Sequence, residues 1–244
     1  MRKITLVALF SVFSTMLYAQ TNQQNTGWFM FLNSTKFNDK WGMHFDFQLR
    51  SADNWDMLRN VLVRPGLTYY INKNSNATLG YLFTQTYFPK LATVSIDGFD
   101  VFVPKNTFTE HRIWQQYIYN HQPWKGAALS HRFRLEQRFI ERQFDDLFSQ
   151  RFRYFFRLVQ PLQKQAGAFE KGMFVALQNE FFLNLQNKDE LNGSTFDQNR
   201  AYLAVGYRVS KAFDVEAGYL NQAIKGVGNN TVNNAVQLAL YTRF

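Results

Sequence analysis

No cysteine occurs in the 244 residues. That excludes a disulfide framework, a thiolate metal site and a lipid anchor attached through cysteine. Proline is scarce, five residues against 26 phenylalanines, and so much aromatic mass does not belong to a disordered chain. Beyond the first segment no apolar run approaches the ~20 residues that a membrane-crossing helix needs, and the mean hydropathy is negative. A bundle of lipid-embedded helices is therefore excluded. Gly-rich phosphate loops, His-x-x-x-His spacings and clustered carboxylate loops are all missing, so no cofactor and no metal is expected. No basic stretch interleaved with aromatics suits a nucleic acid.

What is present begins with an address. Arg2 and Lys3 precede an apolar core from Ile4 to Phe13, and Thr15 to Ala19 leads to a cut before Gln20. This order of charge, short apolar run and small residues predicts a secretory signal peptide over residues 1–19 and one mature domain over residues 20–244. The polar stretch from Gln20 to Thr26 reads as a short leader. Formal charge is +9, lowered by two when Arg2 and Lys3 are removed. The placement of the arginines then decides what the basic balance means.

From Gly27 onward the dominant period is two, the signature of strands. Between Trp41 and Arg50, the side chains of Trp41, Met43, Phe45, Phe47 and Leu49 share one face. The other face carries His44, Asp46, Gln48 and Arg50. Leu129 to Ile140 repeats this, with Phe133, Leu135 and Phe139 opposed to Arg132, Arg134, Glu136 and Arg138. Arg151 to Leu158 does so again, with Phe152, Tyr154 and Phe156 against Arg151, Arg153 and Arg157. Weaker strands are read at Trp28–Asn33, Met57–Ile71, Ala77–Phe88, Thr107–Asn120, Gly172–Leu185, Phe196–Val209, Phe213–Ile224 and Val232–Phe244, separated by Asn, Asp, Gly and Pro turn signals. The directly read strands number about eleven. Bacterial barrels normally close with an even count and both termini on the periplasmic side. The expected fold is therefore an all-β, transmembrane, antiparallel up-and-down barrel of about twelve strands, the additional one lying within Leu91–Asn106. Ten is the alternative if Trp28–Asn33 does not cross.

Alternation alone does not say which face is inside. Three features turn the apolar face outward to lipid. The strands are long enough for a ~25 Å apolar band, which takes about 9–11 residues. Aromatic residues, including Trp28, Trp41, Tyr69, Tyr81, Tyr117, Tyr119, Tyr154, Tyr207 and Tyr219, suit membrane interfaces. The chain ends on an alternating apolar series from Val236 to Phe244, like the C-terminal signal that outer-membrane barrels present to their assembly machinery. An arginine on a lipid face at mid-membrane costs roughly 2–4 kcal/mol, so the charged face belongs inside. The interior network expected comprises Arg50, Glu110, Arg112, Arg132, Arg134, Glu136, Arg138, Arg151, Arg153, Arg157, Glu180 and Glu216. Arg64, Gln116, Gln178, Arg200, Arg208 and Asp214 share its face. Like charges on neighbouring strands repel, so these arginines need carboxylates, water or an anion.

The stretch Glu110 to Gln116, with His111, Arg112 and Trp114, and the stretch His131 to Phe139 carry a resemblance. With Arg151 to Tyr154 and the early Trp28, Trp41 and Arg50, the chain resembles the Bacteroidetes-type outer-membrane proteins catalogued as domain-of-unknown-function family 2490. The resemblance implies an outer-membrane barrel and supplies no activity and no catalytic residue.

The functional expectation is a non-enzymatic outer-membrane barrel, structural or narrowly channelling. Its Arg/Glu-lined interior would favour a small anionic solute. The partners expected are outer-membrane lipids and, during biogenesis, the barrel-assembly machinery. A membrane-embedded lipid-modifying hydrolase is the first alternative, but Ser130 and His131 point to opposite faces of one strand and no Gly-x-Ser-x-Gly occurs. A soluble periplasmic barrel with an apolar ligand is the second.

Overall fold

The computed structural model describes residues 21–88, 94–96, 99–101, 107–163 and 167–244. The signal peptide expected at residues 1–19 lies outside the described residues. Among the described residues, alternating sequence becomes thirteen strands: β1 (Thr21–Lys36), β2 (Trp41–Ser51), β3 (Leu58–Tyr70), β4 (Ser75–Tyr87), β5 (Val94–Ile96), β6 (Phe99–Val101), β7 (Thr107–His121), β8 (Ala128–Ile140), β9 (Leu147–Pro161), β10 (Gly172–Asn184), β11 (Phe196–Ser210), β12 (Phe213–Ile224) and β13 (Asn230–Arg243).

Eleven of these close a barrel in the order β1-β13-β12-β11-β10-β9-β8-β7-β4-β3-β2. Neighbours in the chain pair antiparallel, as hairpins must. The closing pair is parallel, running from Thr21 opposite Asn230 to Ser34 opposite Arg243. An odd number of up-and-down strands forces one such parallel seam.

The structure thus differs from the expected twelve strands in a specific way. The stretch Leu91–Asn106 does contain extended backbone, but β5 and β6 pair with each other and stay out of the wall. Three residues each are far short of the nine or so that cross a ~25 Å band. The stretch Gln20 to Thr26, expected as a leader, is strand from Thr21 onward. It is held by the seam, where Thr26 Oγ1 donates to Asn233 Oδ1 at 2.9 Å. The termini of the barrel wall consequently lie at opposite ends, not together. One end carries the connections 37–40, 71–74, 122–127, 162–171 and 211–212 with the C-terminus. The other carries 52–57, 88–106, 141–146, 185–195 and 225–229 with the start of β1. These are called the turn end and the loop end below.

The distribution of side chains is the reverse of a water-soluble core. Leu67, Leu79, Ile113, Phe133, Leu177, Leu203, Val236 and Leu238 are exposed on the outer wall. Asp46, Arg64, Arg134, Glu136, Arg151, Arg153, Glu180 and Glu216 are buried. Phe133 is 41% exposed while Arg134, its neighbour in sequence, is 1% exposed. Trp41 and Tyr69 meet edge-on at 5.0 Å near the turn end, with Tyr117, Tyr119 and Tyr207 exposed near the same end.

Among the described residues, apolar packing inside the barrel forms two small clusters. One joins Leu62, Leu82 and Trp114; the other surrounds Phe174, Tyr202 and Leu220 and includes Trp28. Trp28 therefore corrects the expectation that grouped it with the interface aromatics. Gly80 makes the Trp114 site: a Cβ there would lie 2.2 Å from the indole. The absent side chain is what lets a large ring lie flat against the wall.

Candidate functional site

The strand pair β8 and β9 sets the geometry of the interior. Its register places Arg134 opposite Arg153 and Glu136 opposite Arg151. On the other side, Arg134 faces Gln116 and Glu136 faces Trp114 of β7. Cations are thus set side by side by the ladder itself, and acceptors must be shared among them.

Glu136 is the main acceptor. Its fully buried carboxylate takes hydrogen bonds from Arg153 Nη1 at 2.6 Å, from Arg151 Nη2 at 2.7 Å and Nε at 3.1 Å, and from Arg112 Nη1 at 3.4 Å. Arg134 Nη1 lies 3.9 Å away. Arg134 itself donates to Gln116 Oε1 at 2.6 Å and sits over the Trp114 ring at 4.6 Å. Four guanidinium groups converge on one carboxylate, an arrangement tolerable only because each arginine holds a further acceptor or an aromatic face.

The lattice spreads from there. Arg151 reaches Asp197 at 2.8 Å, and Arg153 and Arg132 meet on Glu180 Oε1 at 2.7 and 2.6 Å. Arg112 and Arg138 share Glu110 at 2.7 and 2.6 Å. Arg157 pairs with Glu216, which also accepts from the Tyr241 hydroxyl at 3.2 Å. Arg64 pairs with Asp46 at 2.8 Å, and Arg208 with Asp214 at 2.8 Å. Phe182 sits among Arg151, Arg153 and Arg200, with ring distances of 5.1, 4.5 and 4.7 Å.

The lattice does not fill the barrel. A cavity of about 1230 Å³ occupies the turn-end half, lined by residues of every barrel strand and by parts of the 122–127 and 162–171 connections. No described residue of the loop-end connections lines it. Its floor carries Arg50, Arg64, Arg132, Arg153, Glu180 and Arg200, whereas Arg112, Glu136, Arg138 and Arg151 lie beyond and do not line it. The cationic lining also includes Lys125, Arg157, Arg208 and Arg243, and the acidic lining consists of Asp46 and Glu180. Glu216 and Asp214, just behind the lining, pair with Arg157, Arg208 and Arg243, so the chamber keeps a smaller excess of positive charge; it is open toward the turn end, and the Glu136 lattice lies between it and the loop end.

Each of the twelve interior residues expected from sequence lies on the inner face, and all are members of this lattice or its floor. Sequence reasoning under-weighted Asp46, Asp197 and Asp214 as partners: Asp46 and Asp214 stand opposite Arg64 and Arg208 on adjacent strands, a register that one strand's pattern does not reveal, and Asp197 reaches Arg151 from two strands away. It also missed Trp28. In β1 both faces are apolar, with Phe29 and Phe31 alternating against Trp28, Met30 and Leu32, so alternation has no contrast there. Arg50 over the Trp28 ring at 3.9 Å and Arg200 at 5.1 Å hold the indole inside.

The histidines do not assemble a hydrolytic centre. His131 is on the outer face, bonded through Nδ1 to the Tyr154 hydroxyl at 2.9 Å and stacked on His121 at 5.3 Å, while Ser130 lines the chamber. His111 also lies outside, bonded to the Tyr81 hydroxyl. His44 is inside beside Asp46 and edge-on to Trp114. Among the described residues no group of three or more His, Asp or Glu side chains is arranged to hold a metal ion.

Residues 25–233 match the family described as a protein of unknown function (DUF2490). The chain belongs to that family. This DUF2490 member is also similar to the solved NanC porin, with a TM-score of 0.52 and 10% identity over 90% of this chain and 98% of that one. That likeness is one of fold. The siderophore receptor PirA from Pseudomonas aeruginosa also matches, at TM-score 0.29 and 12% identity, over 78% of this chain and 32% of the receptor. No curated protein matches the chain.

Proposed function

We propose that this DUF2490 protein is an outer-membrane barrel that receives small anions in its turn-end chamber and is occluded beyond it by the Glu136 lattice. Support for the location comes from the outer wall. Leu67, Leu79, Ile113, Leu177, Leu203 and Leu238 are exposed on that wall, a largely apolar surface that would promote aggregation in water and suits hydrocarbon. Short turns of bacterial barrels normally face the periplasm, so the chamber would open to that side.

One observation carries the anion reading. The wall of a ~1230 Å³ cavity holds nine cations, Arg50, Arg64, Lys125, Arg132, Arg153, Arg157, Arg200, Arg208 and Arg243, against Asp46 and Glu180, with Glu216 and Asp214 just behind it. A cleft with such an excess of one sign concentrates counter-ions.

Cell fractionation with planar-bilayer recording tests the proposal. The protein is expected in the outer-membrane fraction, and the purified barrel is expected to pass almost no steady current. Recovery in the soluble periplasm, or a large and stable cation-selective conductance, overturns it.

A further inference from the structure

Most interior arginines are committed to carboxylates, and two on the chamber floor are not. Arg50 and Arg200 enter no ion pair among the described residues. Their side-chain acceptors are neutral: Gln48 Oε1 for Arg50, and Gln198 Oε1 at 3.2 Å for Arg200. The Arg50 Nε is buried with no partner at all. Both guanidinium groups nevertheless sit over the same indole, that of Trp28. They come from strands that are not neighbours: Arg50 from β2, beside β1, and Arg200 from β11, which is separated from β1 by β12 and β13. Glu180 stands opposite Arg200 on β10 but its carboxylate is spent on Arg132 and Arg153, so the barrel brings together across its lumen two cations that hold no ion pair, on a surface that lines the cavity.

Two like charges held close with no ion pair of their own oppose folding. The aromatic face offsets part of this, since guanidinium stacks well on indole. Unspent donors remain on both groups, and the guanidinium fork matches oxyanions in a bidentate fashion. We infer that the Arg50–Trp28–Arg200 stack is the primary binding subsite of the chamber, taking a head group with two negative oxyanion charges, of the phosphate-monoester or dicarboxylate kind. The cavity greatly exceeds such a head, so the rest of the solute extends toward the turn-end mouth past Arg157 and Arg208. The inference rests on the anion reading of the chamber and names the groups that select the ligand.

The test is calorimetric titration of the refolded full barrel in detergent at low salt with inorganic phosphate and, separately, succinate. Wild type should bind at least one of them, showing which head chemistry is preferred. R50Q and R200Q should each weaken that binding roughly ten- to hundredfold, the range for losing a charge-assisted hydrogen bond in a desolvated site. R142Q, on the 141–146 connection at the loop end, should leave it unchanged and controls for net charge. Removing a cation that holds no ion pair should also make ligand-free R50Q no less stable than wild type, the reverse of what loss of a structural ion pair would do. If either glutamine variant fails to refold, R50K and R200K supply the comparison, because lysine keeps the charge and loses the fork. Wild-type binding that R50Q and R200Q leave intact would overturn the subsite while sparing the chamber. No binding of either anion by wild type would overturn both.

Discussion

Replacing Glu136 with glutamine keeps the shape of the side chain and removes the charge on which four guanidinium groups converge. The wild-type carboxylate accepts from Arg153 at 2.6 Å, Arg151 at 2.7 Å and Arg112 at 3.4 Å, with Arg134 at 3.9 Å. Breaking a buried ion pair by removing one partner typically costs about 3–5 kcal/mol. The lower end applies here, because Arg151 keeps Asp197, Arg153 keeps Glu180 and Arg112 keeps Glu110. E136Q should therefore lose about 3 kcal/mol, roughly a hundredfold in the folded-to-unfolded ratio. Urea unfolding in phosphatidylcholine vesicles, followed by tryptophan fluorescence, measures it. Adding R134Q should recover about 1 kcal/mol, since Glu136 is the sole carboxylate within ion-pair reach of Arg134 among the described residues and the arginine's charge becomes a liability once Glu136 is neutral. A loss below about 1 kcal/mol for E136Q, or strictly additive losses in the double variant, would refute the idea that this carboxylate is the common acceptor of the lattice.

Three further outcomes follow from the wall, the interior and the seam. Leu203 is mid-strand and 56% exposed, so L203R should cost roughly 2–4 kcal/mol in bilayers if that surface faces lipid; a change within about 0.5 kcal/mol, usual for a water-exposed site, would favour the soluble-barrel reading. G80A forces a methyl group to within 2.2 Å of Trp114 and should destabilise by about 1–3 kcal/mol through overpacking, again read by urea unfolding; an unchanged midpoint would mean the indole is not held against that wall. Phe29 is paired with Leu238 across the parallel seam, and the cysteine-free background makes F29C/L238C clean. This pair should form a disulfide on mild oxidation, seen as a mobility shift on a non-reducing gel, whereas F29C with L49C and no cysteine in β13 tests only the β1–β2 hairpin. Failure of the first pair alone would mean the barrel closes by another route.

Local alternation carried much of this protein. In β8 and β9 arginine and phenylalanine alternate so strictly that strand, period and inner face are legible from the residues alone, because neighbouring Cβ atoms must point to opposite sides of a pleated backbone and no arginine tolerates a hydrocarbon face. The turn residues around Asn72, Asp145 and Asn192 delimit the strands for equally local reasons. Parity misled where closure, a global property, decided the outcome: the eleven strands read directly became twelve only by assuming that first and last strands run antiparallel, and the seam is parallel. The orientation of Trp28 and the pairing of Arg50 with Arg200 were settled by tertiary structure. The three residues lie on different strands and meet only when the sheet curls shut. Which cation goes without a carboxylate depends on distances across the lumen, and a pattern of period two along one strand contains no information about what stands opposite.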